Sequence, residues 1–289
     1  MGSLFALILF WLAWSTVSSN TFSYFVPVPL NAALVFGSSA ATISTPLLYT
    51  FNIDGSVPES SSMGSSWSPY WWVNSGGYLQ IKNEVGQTVQ GSLSLTDPWR
   101  LLYLSSNPVD TDNGVHPQNI FRLLTRSSWQ DPRLQATFYI TRDNFSSSPN
   151  RNASNGILFM SRYKDGNTLY YAGIRVDGTA VIKKKYNSTY YTMAQKKVFD
   201  GSYSEGGKNN LLPHNAWFHI RSDTVTNADG TVSVRLYLRK PNEQSLTKIL
   251  EAKDSGNFGG TPPITQAGYT GIRTDFMDVR FDSFVAMEL

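Results

Sequence analysis

The chain has 289 residues, 41% hydrophobic and 13% aromatic, which is enough apolar material for one large core and excludes a disordered chain. Charged residues make up only 16% and the net charge is +3, too mild a balance for a nucleic-acid surface. There is no cysteine, so disulfides and thiolate metal sites are excluded.

The first element is an apolar run, Leu4 to Trp14, followed by the small residues STVSSN. Its length falls short of the ~20 residues that span a bilayer. It reads as a secretory signal over residues 1–19, with cleavage near Ser18 or Ser19. No Lys or Arg precedes it, and the first charged residue is Asp54. The alternative is a retained membrane anchor, the only route by which a membrane enters as a partner. The expected location is otherwise secreted or extracellular. Residues 20–46 read as an irregular arm, in which Pro27 and Pro29 interrupt a second apolar stretch.

From Leu47 to the end, residues 47–289, strand signals recur between turns. They include YLQIK from Tyr78, LQATFYIT from Leu134, GILFMSRY from Gly156, TLYYAGIRV from Thr168 and TAVIKKK from Thr179. Asp165-Gly166, Asp177-Gly178 and Asp229-Gly230 mark turns. Val232, Val234, Leu236 and Leu238 alternate with Ser233, Arg235, Tyr237 and Arg239, the pattern of a half-buried antiparallel strand. No helix longer than a turn or two is evident. The expected fold class is all-β, a jelly-roll β-sandwich of two antiparallel sheets.

One pattern, Y-x-G-I-R-x-D, occurs twice, at Tyr171–Asp177 and at Tyr269–Asp275. With a period of two, Tyr, Gly, Arg and Asp share a face while Ile turns to the core. Tyr supplies a ring to stack on, Gly leaves room, and Arg donates hydrogen bonds, which is a chemistry suited to sugars.

The segments NASNGILFMSRY, DGNTLYYAGIRVDGTAVIKKK, LPHNAWFHIRSD, NADGTVSVRLYL and AGYTGIRTDFMDVRFDSF occur in that order. Together they resemble the second half of concanavalin A-like lectin/glucanase domains, including laminin-G-like modules. The resemblance covers residues 152–289 well and 47–145 loosely. It implies a polysaccharide or glycan as partner, without fixing binding or catalysis. The candidate sugar-binding residues are Tyr171, Arg175, Tyr269, Arg273 and Arg122, with the loop-like Trp71 and Trp72 either as stacking platforms or as a hydrophobic plug over the end of the sandwich. Trp217 matches the superfamily's structural Trp and is expected in the core.

The enzymatic branches are less well matched. The E-x-D-x-x-E strand of laminarinase-type hydrolases is absent, and the glutamates are isolated. Lyases of this fold imply Tyr171 as proton donor or acceptor, with Arg122 or Arg175 neutralising a uronate and His116 as a partial second motif. Were the chain an enzyme, elimination fits its residues better than hydrolysis. A structural or adhesive surface protein without a sugar site is the remaining alternative.

No cofactor is required by the sequence. The superfamily's calcium site points to Asp54, Asp278 and Asp282 as candidate ligands; the alternative is that these carboxylates simply pair with Arg273 and Arg280 or stay solvated. The lysines at 183–185 alternate across their strand, so at most two share a face; they read as a solvated strand edge, with contact to an anionic glycan as the alternative. Asn144, Asn152 and Asn187 lie in N-glycosylation sequons and mark exposed loops if the source is eukaryotic.

Overall fold

The computed structural model describes residues 45–206 and 209–289. The expected signal and most of the arm lie outside the described residues. Among the described residues, no helix is long and apolar enough to cross a membrane.

The strands are β1 (Leu47–Tyr49), β2 (Gly55–Pro58), β3 (Trp71–Ser75), β4 (Tyr78–Lys82), β5 (Val85–Gln87), β6 (Ile120–Trp129), β7 (Pro132–Asp143) and β8 (Gly156–Asp165). Then come β9 (Thr168–Arg175), β10 (Thr179–Tyr186), β11 (Thr189–Lys197), β12 (Phe218–Thr226), β13 (Val232–Arg239), β14 (Thr247–Asp254), β15 (Gly268–Asp275) and β16 (Met277–Glu288). They form two antiparallel sheets. One has nine strands in the order β14-β13-β12-β7-β16-β5-β4-β2, with β1 also paired to β16. The other has seven, in the order β11-β10-β9-β8-β15-β6-β3. The all-β sandwich expected from the alternation is the observed architecture.

The core lies between the sheets. Phe138, Phe218, Val234, Leu236 and Phe281 face it from the nine-stranded sheet, and Trp71, Phe121, Phe159, Ile174 and Ile272 from the seven-stranded one. The alternation in β13 holds, with Val232, Val234, Leu236 and Leu238 all buried.

Three local expectations change. A helix longer than the turn or two expected opens at Asp97-Pro98: α1 (Pro98–Ser106) has nine residues, Asp97 caps the Trp99 N–H and Pro98 takes the first turn. Trp217 is not core: it is 42% exposed and packs its ring 5.4 Å from Tyr139. The lysine run is not wholly a solvated edge. Lys183 and Lys185 point outward, while parity turns Lys184 into the core, where it is fully buried.

Candidate functional site

The repeated segment builds the site. Its copies are β9 and β15, and both pair antiparallel with β8, one on each side. Ile174 and Ile272 fill the core, as their parity requires. Tyr171, Arg175, Tyr269 and Arg273 therefore stand on the outer face of the seven-stranded sheet. The copies are staggered by two residues. One row across the strands reads Lys183, Tyr171, Met160, Gly271, Leu124, Trp72. The next reads Val181, Gly173, Leu158, Arg273, Arg122, Ser75.

The glycines do not make space for a ligand. A Cβ on Gly173 would sit 2.1 Å from the Ile157 carbonyl oxygen, and one on Gly271 1.9 Å from that of Leu123. Close approach of the neighbouring strand's backbone fixes both residues.

The face has an apolar floor and a cationic surface. Leu124, Leu158, Met160, Leu169 and Val181 form the floor, with Trp72 and Tyr269 packed against it. Tyr171 is only 2% exposed, so its ring belongs to the floor rather than to a stacking platform. Arg273 covers it. Its Nη1 donates to the Tyr171 hydroxyl at 3.4 Å, its guanidinium carbon lies 5.5 Å from the ring centre, and its Nε donates to Asp275 at 2.8 Å.

Tyr190 lies beside Tyr171, ring centres 6.1 Å apart and nearly parallel, and it is half exposed. Lys185 places Nζ 4.8 Å from the Tyr190 ring and donates to the Gly166 carbonyl at 2.7 Å. Arg175 pairs with Asp177 at 2.7 Å, and Arg122 Nε donates to Ser75 Oγ at 3.0 Å. Lys183, Lys185 and Arg122 have no ion-pair partner among the described residues.

This charge tunes the two phenols differently. Burial pushes Tyr171 up, with Arg273 opposing. Burial would also raise Tyr190, but the positive charges of Arg273 and Lys185 outweigh it and hold that phenol below its usual value. Lys183 is pushed down by burial and by the like charges of Arg175 and Arg273.

The sequence brings Tyr171, Arg175, Tyr269, Arg273, Arg122 and Trp72 onto this one face. Trp71 is a correction. It alternates with Trp72 on β3, faces inward, and is fully buried against Phe284 and Phe51. His116 is engaged elsewhere, its Nδ1 2.8 Å from Asp112 and its Nε2 3.0 Å from Ser92.

The calcium candidates are not gathered: no group of three acidic or histidine side chains suited to a metal occurs among the described residues. Asp54 is exposed and accepts from the Asn83 N–H. Asp278 accepts from Gly91 N, Gln118 and Asn144, so donors fill its oxygens. Asp282 accepts from the neighbouring Ser283 hydroxyl. Neither Arg273 nor Arg280 pairs with these carboxylates; Arg273 takes Asp275 instead.

Of the sequons, Asn144 is buried and bonded to Asp278, contrary to the exposed loop expected, while Asn152 is partly exposed and Asn187 exposed. Tyr190 is a site residue the sequence reading does not name, and Lys183 and Lys185 enter it only as the alternative to a solvated edge. The signal for Tyr190 is the Asn187-Ser188 pair, whose positive φ values of 46° and 68° turn the chain back and set Tyr190 opposite Lys185.

No protein-family model matches the chain, and no curated protein matches it. Among solved structures, the carbohydrate-binding module CBM66 from Bacillus subtilis is 13% identical, with 75% of this chain and 95% of that one covered and a TM-score of 0.47. The GH43 protein BlXynB from Bacillus licheniformis is 9% identical at TM-score 0.46, covering 84% of this chain and 39% of that one. The Bacillus licheniformis beta-glucanase is 10% identical at TM-score 0.43, covering 84% and 98%. The assignment of an all-β sandwich rests on the strand order of the two sheets themselves.

Proposed function

We propose that this domain binds an acidic polysaccharide outside the cell, on the outer face of the seven-stranded sheet. The carrying observation is the set of cations Arg122, Lys183 and Lys185, unpaired among the described residues, beside Tyr190, Tyr269 and Trp72. Aromatic rings accept the apolar face of a sugar. Cations left without carboxylate partners attract the uronate or sulfate groups of an acidic chain, and Arg can hold a carboxylate by two parallel bonds. Support for a purely structural reading is confined to Arg175 and Arg273, which already have Asp177 and Asp275.

A second reading is favoured by Tyr190. A phenol held below its usual value by Arg273 and Lys185 is suited to proton abstraction next to a neutralised carboxylate. In that elimination the uronate C5 proton passes to the phenolate. The electron pair forms the C4–C5 double bond, the glycosidic bond at C4 breaks, and the departing oxygen takes up a proton.

One assay separates these readings. The full chain is incubated with a polyuronate and with a neutral glucan, following retention and unsaturated-uronate absorbance together. Retention by polyuronate alone, weakened in Lys183→Ala with Arg122→Ala, supports binding. Absorbance that rises with wild type and not with Tyr190→Phe makes the protein a lyase. Neither retention nor absorbance across a broad panel moves the assignment to a structural protein.

A further inference from the structure

The opposite face of the sandwich carries a second constellation. On the outer side of the nine-stranded sheet, Tyr139, Arg280, Gln87 and Gln80 stand in register on four adjacent strands, β7, β16, β5 and β4. Trp217, just ahead of β12, extends the row with its ring 5.4 Å from Tyr139. At ~4.8 Å per strand, the row from Trp217 to Gln80 is about 19 Å long. Parity puts these side chains outside, since Phe138, Phe218 and Phe281 take the core.

The chemistry along the row is graded. Trp217 is 42% exposed and offers a ring at one end. At the other end a groove of about 320 Å³ is lined by Gln80, Lys82, Gln87 and Arg280. Gln87 Nε2 donates to Gln80 Oε1 at 2.7 Å, which leaves a Gln80 N–H and the Gln87 carbonyl for hydroxyl groups. Gln90 forms a fixed rim, accepting from Thr141 Oγ1 at 2.9 Å and donating to the Thr88 carbonyl at 3.1 Å. Arg280 and Lys82 are exposed and have no ion-pair partner among the described residues. Among the described residues, no carboxylate lines the groove. Asp282 belongs to the next row, opposite Thr137.

We propose that this face is a second glycan-binding surface, for a uronate-bearing oligosaccharide lying across the strands from Trp217 to Gln80. Arg280 and Lys82 take the carboxylate, the two glutamines take hydroxyls, and Trp217 with Tyr139 takes a sugar face. The surface shares no residue with the Tyr190 face, so each can fail without the other. A domain with both surfaces occupied joins two polysaccharide chains.

The test is a calorimetric titration of the full chain with a galacturonate hexasaccharide. Two ligands bind per wild-type chain. Arg280→Ala with Trp217→Ala alters exposed side chains only and binds one; Gln87→Leu, with both cations intact, weakens that same site about tenfold. Lys183→Ala with Arg122→Ala also binds one, at the remaining surface. A single site that disappears in Lys183→Ala with Arg122→Ala and is unchanged in Arg280→Ala with Trp217→Ala overturns the second surface while sparing the first. A single site with the reverse behaviour supports the second surface and removes the first. No binding by any form removes both.

Discussion

Lys184 and Asp254 meet 2.8 Å apart inside the sandwich, one from each sheet, and neither is exposed. Lys184 also donates to the carbonyls of Thr261 and Pro262, and Tyr170 donates to Asp254 at 2.6 Å. Every proton of the ammonium thus has an acceptor, which is what permits a charge there. Removing one partner leaves the other charge buried and alone. Lys184→Ala or Asp254→Ala should cost roughly 3–5 kcal/mol in urea unfolding, and Lys184→Met with Asp254→Leu should recover most of it. Single variants as stable as wild type would show that the pair does not form.

The repeat's glycines give a second expectation. Gly173→Ala places a methyl 2.1 Å from the Ile157 oxygen and 2.7 Å from the Leu158 Cα, backbone atoms that move only with their strand. It should cost about 3 kcal/mol or more, or prevent folding. Gly230→Ala meets open space and has only its φ of +78° to strain it, so about 1–2 kcal/mol is expected. Thermal melts of the two compare crowding with torsion; equal losses would contradict the difference.

Binding through Lys183, Lys185 and Arg122 should be sensitive to salt, because exposed charges are screened over ~10 Å at 0.1 M. Retention on polyuronate should fall steeply between low salt and about 0.5 M, and Lys183→Ala with Lys185→Ala should flatten that dependence. Retention indifferent to salt would place the affinity in stacking alone.

His219, on the outer face of β12 opposite Arg239, is pushed down to about 4 by burial, with Arg239 and Arg221 adding to it. An unfolded His takes up its proton near pH 6.5. Between these values the unfolded chain holds more protons, so stability falls as pH drops from about 6.5 to 4 and levels off below. His219 is partly exposed, so about 1–2 kcal/mol of this survives screening. His214 runs the other way. Burial lowers it, but the Asp143 carboxylate outweighs that and raises it, so its contribution is present below its unfolded value and is lost as pH rises through the folded one. His219→Gln should remove the acid-side slope; an unchanged slope would assign it to other groups.

Expressed through a eukaryotic secretory route, the folded protein should carry glycan at Asn187 and none at Asn144, whose amide is buried against Asp278. Peptide mass spectrometry reads both positions, and a glycan on Asn144 in folded material would contradict the packing around Asp278.

The parts of the fold legible in the sequence are those where parity decides. Ile174 and Ile272 mark the core side of β9 and β15, and the alternation of β13 does the same. Parity was lost wherever the start of a strand was hidden. The Ser- and Pro-rich stretch ahead of Trp71 and Trp72 looks like a loop, yet once β3 begins at Trp71 one must face in and the other out. Lys184 shows the converse. Its parity was readable, but the Asp254 that neutralises it lies 70 positions on, in the other sheet, and no local pattern announces it. Tyr190 enters the site through the Asn187-Ser188 turn, which lacks the Gly of the Asp-Gly turns that stand out elsewhere in the chain. The row from Trp217 to Gln80 joins four separate stretches of chain and exists only as a product of strand order.

Strands β15 and β16 are consecutive and come last in the chain, yet each occupies an interior position of a different sheet, β15 between β8 and β6, β16 between β7 and β5. During synthesis the sandwich cannot close until residues beyond about 268 have emerged. Before that, β8 and β6 present open flanks in one sheet and β7 and β5 in the other. Such long-range pairing slows folding and leaves the incomplete chain prone to aggregation. A polypeptide ending before β15 would lack the seam of both sheets at once, so loss of this short stretch should remove solubility as well as the ligand surfaces.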